Sequence, residues 1–124
     1  MKIIKALSFI TILFFAINIQ AQNLEKWPSL ESVNSVITRI DTNPKEKLAE
    51  SITYFSATLN HFADESTKTI PAENKNKKLQ KALANLQDAA RSLNELVLKT
   101  SSEATLINAF SEVKMKFAAV KAQL

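Results

Sequence analysis

The stretch Leu79-Gln80-Lys81-Ala82-Leu83-Ala84-Asn85-Leu86-Gln87-Asp88-Ala89-Ala90-Arg91-Ser92-Leu93-Asn94-Glu95-Leu96-Val97 decides the fold class. Its apolar residues Leu79, Leu83, Leu86, Ala90, Leu93 and Val97 recur at alternating steps of four and three. That spacing places them on one stripe of an α-helix, with polar residues between them. Working outward, three more segments repeat the pattern. Leu106, Phe110, Val113, Phe117, Val120 and Leu124 form the last stripe. Leu30, Val33, Ile37 and Ile40 form the first, and Leu48, Ile52, Phe55, Leu59 and Phe62 the second. No segment alternates with the period of a strand. Phe55, Leu86 and Phe117 are expected at the middle of the core.

The punctuation between stripes agrees with this division. In Asp41-Thr42-Asn43-Pro44, Asn43 is expected to cap the second helix, Pro44 to occupy its first turn and Glu46 to complete a capping pair. Pro71 either opens the third helix or sits in the loop before it. Thr100-Ser101-Ser102-Glu103 reads as a capping box for the fourth. The short first and last connections imply hairpins. The expected architecture is all-α: an antiparallel up-down-up-down four-helix bundle.

Composition narrows the chemistry. The chain has no Cys and no Gly. Without Cys there are no disulfides, so stability must come from packing. Without Gly, phosphate-cradling loops and dinucleotide-binding turns are excluded.

The N-terminus reads as an address. Lys2 and Lys5 precede the apolar run from Ala6 to Ile19, and Ile19-Gln20-Ala21 supplies the small residue a signal peptidase needs. The run is about 14 residues, short of the ~20 that span a bilayer as a helix. Residues 1–21 are therefore expected to be a cleaved signal peptide. Residues 22–124 form the bundle domain, periplasmic or secreted and without a stable membrane anchor after processing. The first 21 residues hold two of the 16 basic residues and none of the 12 acidic ones, so cleavage lowers the net charge from +4 to +2. That is too small for nucleic acid binding.

No catalytic or metal centre is expected. His61 is the only histidine, and at 100° per residue it falls about 140° from the centre of its helix's stripe, outward with Tyr54 and Thr58. Thr58 and Ala57 occupy the places where a di-iron bundle carries its carboxylate. Met115 points about 180° from its stripe, between Lys114 and Lys116. Glu46 and Glu50 lie one turn apart with no His or Cys beside them. With one outward histidine and no thiol, a hydrolytic or transfer site is hard to assemble.

The candidate interaction residues are Lys75, Lys77, Lys78 and Lys81, which open the third helix, together with Trp27 before Pro28. The lysines suit an anionic lipid, a polysaccharide or an acidic protein of the envelope. No aromatic residue interleaves with them to stack nucleic acid bases. Trp27 is expected as a lid on the end of the bundle or as a partner contact.

From Leu24-Glu25 to Leu124 the chain resembles the periplasmic cytochrome b562 family. The likeness rests on Asn43 before a helix opening, on Ile70-Pro71 in the middle connection, and on the Ala109-Phe110-Ser111-Glu112-Val113-Lys114 form of the last helix. It implies the same bundle and the same compartment. The family holds haem with a Met early in helix one and a His late in helix four. By spacing those places fall near Trp27–Pro28 and Lys121, and neither carries such a ligand. No cofactor is therefore expected, and a haem-carrying electron-transfer protein is the alternative to a non-catalytic binding module.

Overall fold

Pro28 fixes where the first helix begins. Its ring pre-sets the backbone for a first helical turn, and its missing N–H is one that no helix start can satisfy internally. In the computed structural model, which describes residues 24 and 26–124, α1 runs Pro28–Asp41. The signal-peptide reading of residues 1–21 lies outside the described residues. Leu30, Val33, Val36, Ile37 and Ile40 are buried, so the expected stripe holds, with Val36 widening it.

The turn that follows is built differently from the expectation. The Asn43 side-chain amide donates to the Arg39 carbonyl at 2.7 Å, to the Ile40 carbonyl at 3.2 Å and to Ser51 Oγ at 2.9 Å. Asn43 thus closes the end of α1 rather than capping the next helix. Orphan carbonyls at a helix C-terminus need donors, which an amide supplies. Pro44 precedes a 3-10 turn, Lys45–Lys47, and α2 starts only at Leu48, without a side-chain cap. The pairing expected of Glu46 does not form.

Helix α2, Leu48–Lys68, buries Ala49, Ile52, Ser56, Leu59, Ala63 and Ser66. This corrects the expected stripe: Phe55 and Phe62 are only half-buried flank residues packed against the core. The reason is crowding. Helix α2 packs along α1, along α3 (Lys77–Leu98) and also against α4 (Glu103–Lys121). Small side chains on its inner face let three neighbours approach closely, while the large rings are displaced to its flank. Two polar ties join α2 to α3: Ser56 Oγ donates to Asn94 Oδ1 at 3.2 Å, and Gln87 Nε2 donates to Asp64. Asp64 also pairs with Lys68 at 2.9 Å. The hydrogen bond from Lys68 holds the Asp64 carboxyl below its ordinary value, against partial desolvation, and the same contact raises Lys68. The Asp64 contribution is therefore present above about pH 4 and lost as pH falls through its lowered pKa. The Lys68 contribution is present below about pH 10 and lost as pH rises through its raised one.

Pro71 sits in the connection, ahead of a 3-10 turn at Ala72–Asn74. Asn76 then caps α3, its side-chain oxygen accepting the Leu79 N–H at 2.8 Å. Leu79, Ala82, Leu83, Leu86, Ala90 and Leu93 are buried, with Val97 only partly so. At the far end the Ser101 N–H donates to the Leu96 carbonyl and the Thr100 N–H to the Val97 carbonyl, both at 3.1 Å. This is a Schellman closure with Thr100 at φ 58°, a place that ordinarily selects Gly. In a chain without Gly, a β-branched residue carries that strain. Thr100 is consequently not the cap of α4. Ser102 is, accepting the Thr105 N–H at 3.3 Å, two residues later than the capping-box pattern implied.

Helix α4 buries Leu106, Phe110, Val113, Phe117 and Val120. Lys114 reaches across to Asp41 at 2.9 Å, tying α4 to the end of α1, and its ammonium lies 5.2 Å from the Phe110 ring centre. The described residues form four mutually packed helices and no strand.

Replacing Thr100 with Gly should stabilise the fold by about 1 kcal/mol, because the strained φ then costs nothing. Urea unfolding of the two proteins measures this directly. Leu86→Ala and Phe117→Ala should each cost roughly 2–5 kcal/mol. Phe55→Ala should cost clearly less, since its ring is only partly buried. Equal losses for all three would show that Phe55 belongs to the inner face.

Candidate interaction surface

Asn76 positions the lysines. Its cap fixes the first turn of α3, and Leu79, Ala82 and Leu83 anchor the inner face of that helix. Lys77, Lys78 and Lys81 must then project from the opposite face. Lys75, in the linker just before, joins them. All four are exposed, and none of their ammonium groups forms an ion pair among the described residues. The first turn of α3 holds no acidic residue. Four ammonium groups thus crowd a helix end whose free N–H groups already carry partial positive charge. For folding alone this is an unfavourable arrangement.

Trp27 is placed elsewhere than beside the lysines on the surface. It is 1% exposed and lies under the start of α1, in the same apolar cluster as Leu24, Leu30 and Leu79. Its ring therefore offers no exposed face, which corrects its place among the expected interaction residues, and local spacing does not reveal such burial. Its indole Nε1 has no hydrogen-bond partner among the described residues.

One residue of this surface escaped the sequence reading. The Ser29 and Thr69 hydroxyls share a hydrogen bond of 2.8 Å, which sets the start of α1 beside the end of α2. Thr69 is followed within a few residues by Lys75. Lys26, exposed and without an ion pair among the described residues, stands just before Ser29 and so near the end of α2 that leads toward Lys75. Only tertiary pairing brings it there.

The other candidates do not converge. His61 is exposed on α2, with only the Phe62 ring beside it at 5.4 Å. Met115 is 61% exposed on α4. Glu46 lies in the 3-10 turn and Glu50 in α2, both exposed. Two shallow surface grooves stand out among the described residues. One, of about 290 Å³, is lined by Asn85, Asp88, Ala89, Ser92, Ala109, Glu112 and Lys116 between α3 and α4. The other, of about 280 Å³, is lined by Asn43, Lys47, Glu50, Ser51, Tyr54 and Phe55 beside the first turn. Neither groove contains His61, and no cluster of three or more His, Cys, Asp or Glu able to hold a metal ion occurs among the described residues. Comparison with known protein families, with characterised proteins and with solved structures gives no match, so the cytochrome b562 resemblance gains nothing from them.

Because the Trp27 N–H is buried without a partner, Trp27→Phe should change stability by less than about 1 kcal/mol, the lost ring area being offset by removal of the orphan donor. Trp27→Ala should cost roughly 3–5 kcal/mol. Thermal or urea unfolding distinguishes the two. A Phe variant as damaged as the Ala variant would mean that the indole N–H has a partner in solution.

Proposed function

We propose that this chain works outside the cytoplasm, in the periplasm or medium, as a non-catalytic helical bundle. It binds an anionic component of the cell envelope through the lysine-rich end formed by Lys26, Lys75, Lys77, Lys78 and Lys81. The observation that carries this reading is the set of exposed, unpaired ammonium groups at a positive helix start. Several other basic residues stand closer to carboxylates: Lys45 and Lys47 flank Glu46 in sequence, Asp88 pairs with Arg91 at 3.5 Å, and Lys114 pairs with Asp41 at 2.9 Å.

The address rests on the order of the first segment: Lys2 and Lys5, the apolar run, then Ala21. An up-down course for the helices is supported by the Ser29–Thr69 contact. It is supported too by the α2–α3 ties, in which Ser56 meets Asn94 and Asp64 meets Gln87, one number rising as the other falls. No helix among the described residues is long and apolar enough to cross a membrane.

The binding claim is tested on a sulfated-polysaccharide column. The wild-type protein should be retained and released by salt, because released counterions make such binding fall with ionic strength. Lys75→Gln, Lys77→Gln, Lys78→Gln and Lys81→Gln combined should elute at markedly lower salt. Unchanged elution would contradict the assignment. The address is tested by intact mass of the protein recovered outside the cytoplasm, which should correspond to a chain beginning at Gln22. A protein that keeps Met1 in the membrane would contradict it.

A further inference from the structure

We infer that the outward side of α4 is the seat of a second copy of this chain, which docks on it antiparallel and makes a two-fold symmetric dimer. None of the lysines of the proposed binding end takes part, so this docking stands independently of that role.

Helix α4 is apolar on more than its inner face. Past its first turn, Glu112 is the one residue that is both charged and exposed. The lysines turn aside and are half-buried. The ammonium groups of Lys114 and Lys121 each lie 5.2 Å from the centre of a phenylalanine ring, Phe110 and Phe117, and Lys114 is also held by Asp41 of α1. Lys116 lines the groove shared with α3. What remains outward is Ala104, Asn108, Ser111, Met115, Ala118 and Ala122, all exposed, at alternating steps of four and three. That spacing draws a second stripe along the helix, opposite the buried one. Met115, near its middle, is 61% exposed.

Three observations make the chain itself the occupant. The first is a knob beside a hole. Glu112 and Lys116, the helical neighbours of Met115, line the groove of about 290 Å³ between α3 and α4, and the half-buried Ala89 and Ala109 leave space within it. Met115 is not among its lining residues. A flexible thioether is suited to filling an irregular gap of this kind. An exposed apolar side chain next to a groove it does not fill is self-complementary, and two-fold symmetry uses both features twice.

The second is register. Ala104 and Ala122, Asn108 and Ala118, and Ser111 and Met115 are pairs equidistant from Val113. An antiparallel copy centred there sets each member of a pair opposite the other. Small side chains then let the two helices approach closely. Each methionine faces Ser111 of the other copy, level with Ala109 and Glu112 of that copy's groove.

The third is charge. Glu112 and Lys116 stand one turn apart, in the order that favours a pair on a single helix. Yet no ion pair joins them among the described residues. Both lie on the α3 side of the stripe, since both line the groove there. In an antiparallel dimer that side faces itself with its direction reversed. Glu112 of each copy therefore comes within one helical turn of Lys116 of the other.

Sedimentation equilibrium of the protein in the form recovered from its host tests the inference. A mass of two chains that dissociates on dilution is expected. Met115→Glu should raise the dissociation constant about tenfold or more, because it puts a carboxylate into the apolar contact and near Glu112 of the second copy. Tyr54→Ser, which removes a side chain 78% exposed on α2, should leave it unchanged. Glu112→Lys and Lys116→Glu should each weaken the dimer at low salt. Mixed together, these two single variants should form a heterodimer as readily as the wild type forms its homodimer, since each lysine then meets a glutamate across the axis. All four substitutions lie at exposed or half-buried surface positions, and circular dichroism checks that the fold is kept. A protein that stays monomeric at the highest concentration it tolerates would overturn the inference. So would a dimer indifferent to Met115→Glu, or charge variants that weaken it without recovery on mixing.

Discussion

The inner face of α2 is the constraint on which the rest of the bundle depends. Ala49, Ile52, Ser56, Leu59, Ala63 and Ser66 are buried there against neighbours on three sides. Four of these six positions carry Ala or Ser, so backbones can approach where Leu or Phe would force them apart. The volume that α2 withholds is supplied by its neighbours: Trp27 and Ile40 near α1, Leu83 and Leu86 on α3, Phe110 and Phe117 on α4. With no disulfide to staple the chain, this complementarity of small and large side chains holds it together. A larger residue at Ala63 would push against several helices at once.

Packing of this kind also explains where polar chemistry is found. The interior has little room for it: Ser56 and Ser66 are the buried polar residues, each spending its hydroxyl on a neighbour or on its own helix. Titratable groups lie on the outside. Among them Lys75, Lys77, Lys78 and Lys81 form a run with no acidic residue between them and no ion pair among the described residues. They occupy a helix start, where the backbone disfavours cations, and this local conflict is what the proposed binding role would explain.

Much of the fold was legible in the chain, and the parts that were not share a cause. The stripes of α1, α3 and α4 are dominated by large aliphatic and aromatic residues, so their period also reveals their phase. In α2 the inner face is made of Ala and Ser, while Leu48, Phe55 and Phe62 on the flank are more apolar. Hydrophobicity then points one position away from the true face, and only the presence of three neighbours corrects it. The helix ends were misread for a related reason. Asn43, Thr100 and Ser102 are all acceptable caps by type, but which one acts is set by backbone geometry. Thr100 was taken up by the left-handed turn a Gly would usually fill, and Asn43 by the carbonyls of α1. The lysines were visible as a run. Lys26 enters the account only through the tertiary contact at Ser29 and Thr69, and the burial of Trp27 is likewise a tertiary fact that local spacing does not carry.

The central claim, that one end of this bundle is its binding surface, is tested most directly by residue-resolved NMR during titration with an anionic polymer such as dextran sulfate. Shift changes confined to Lys26 and the segment Lys75–Lys81, reversed by added salt, are the predicted result. Changes centred on the groove at Lys47, Tyr54 and Phe55, or spread evenly over lysines at both ends, would contradict the account.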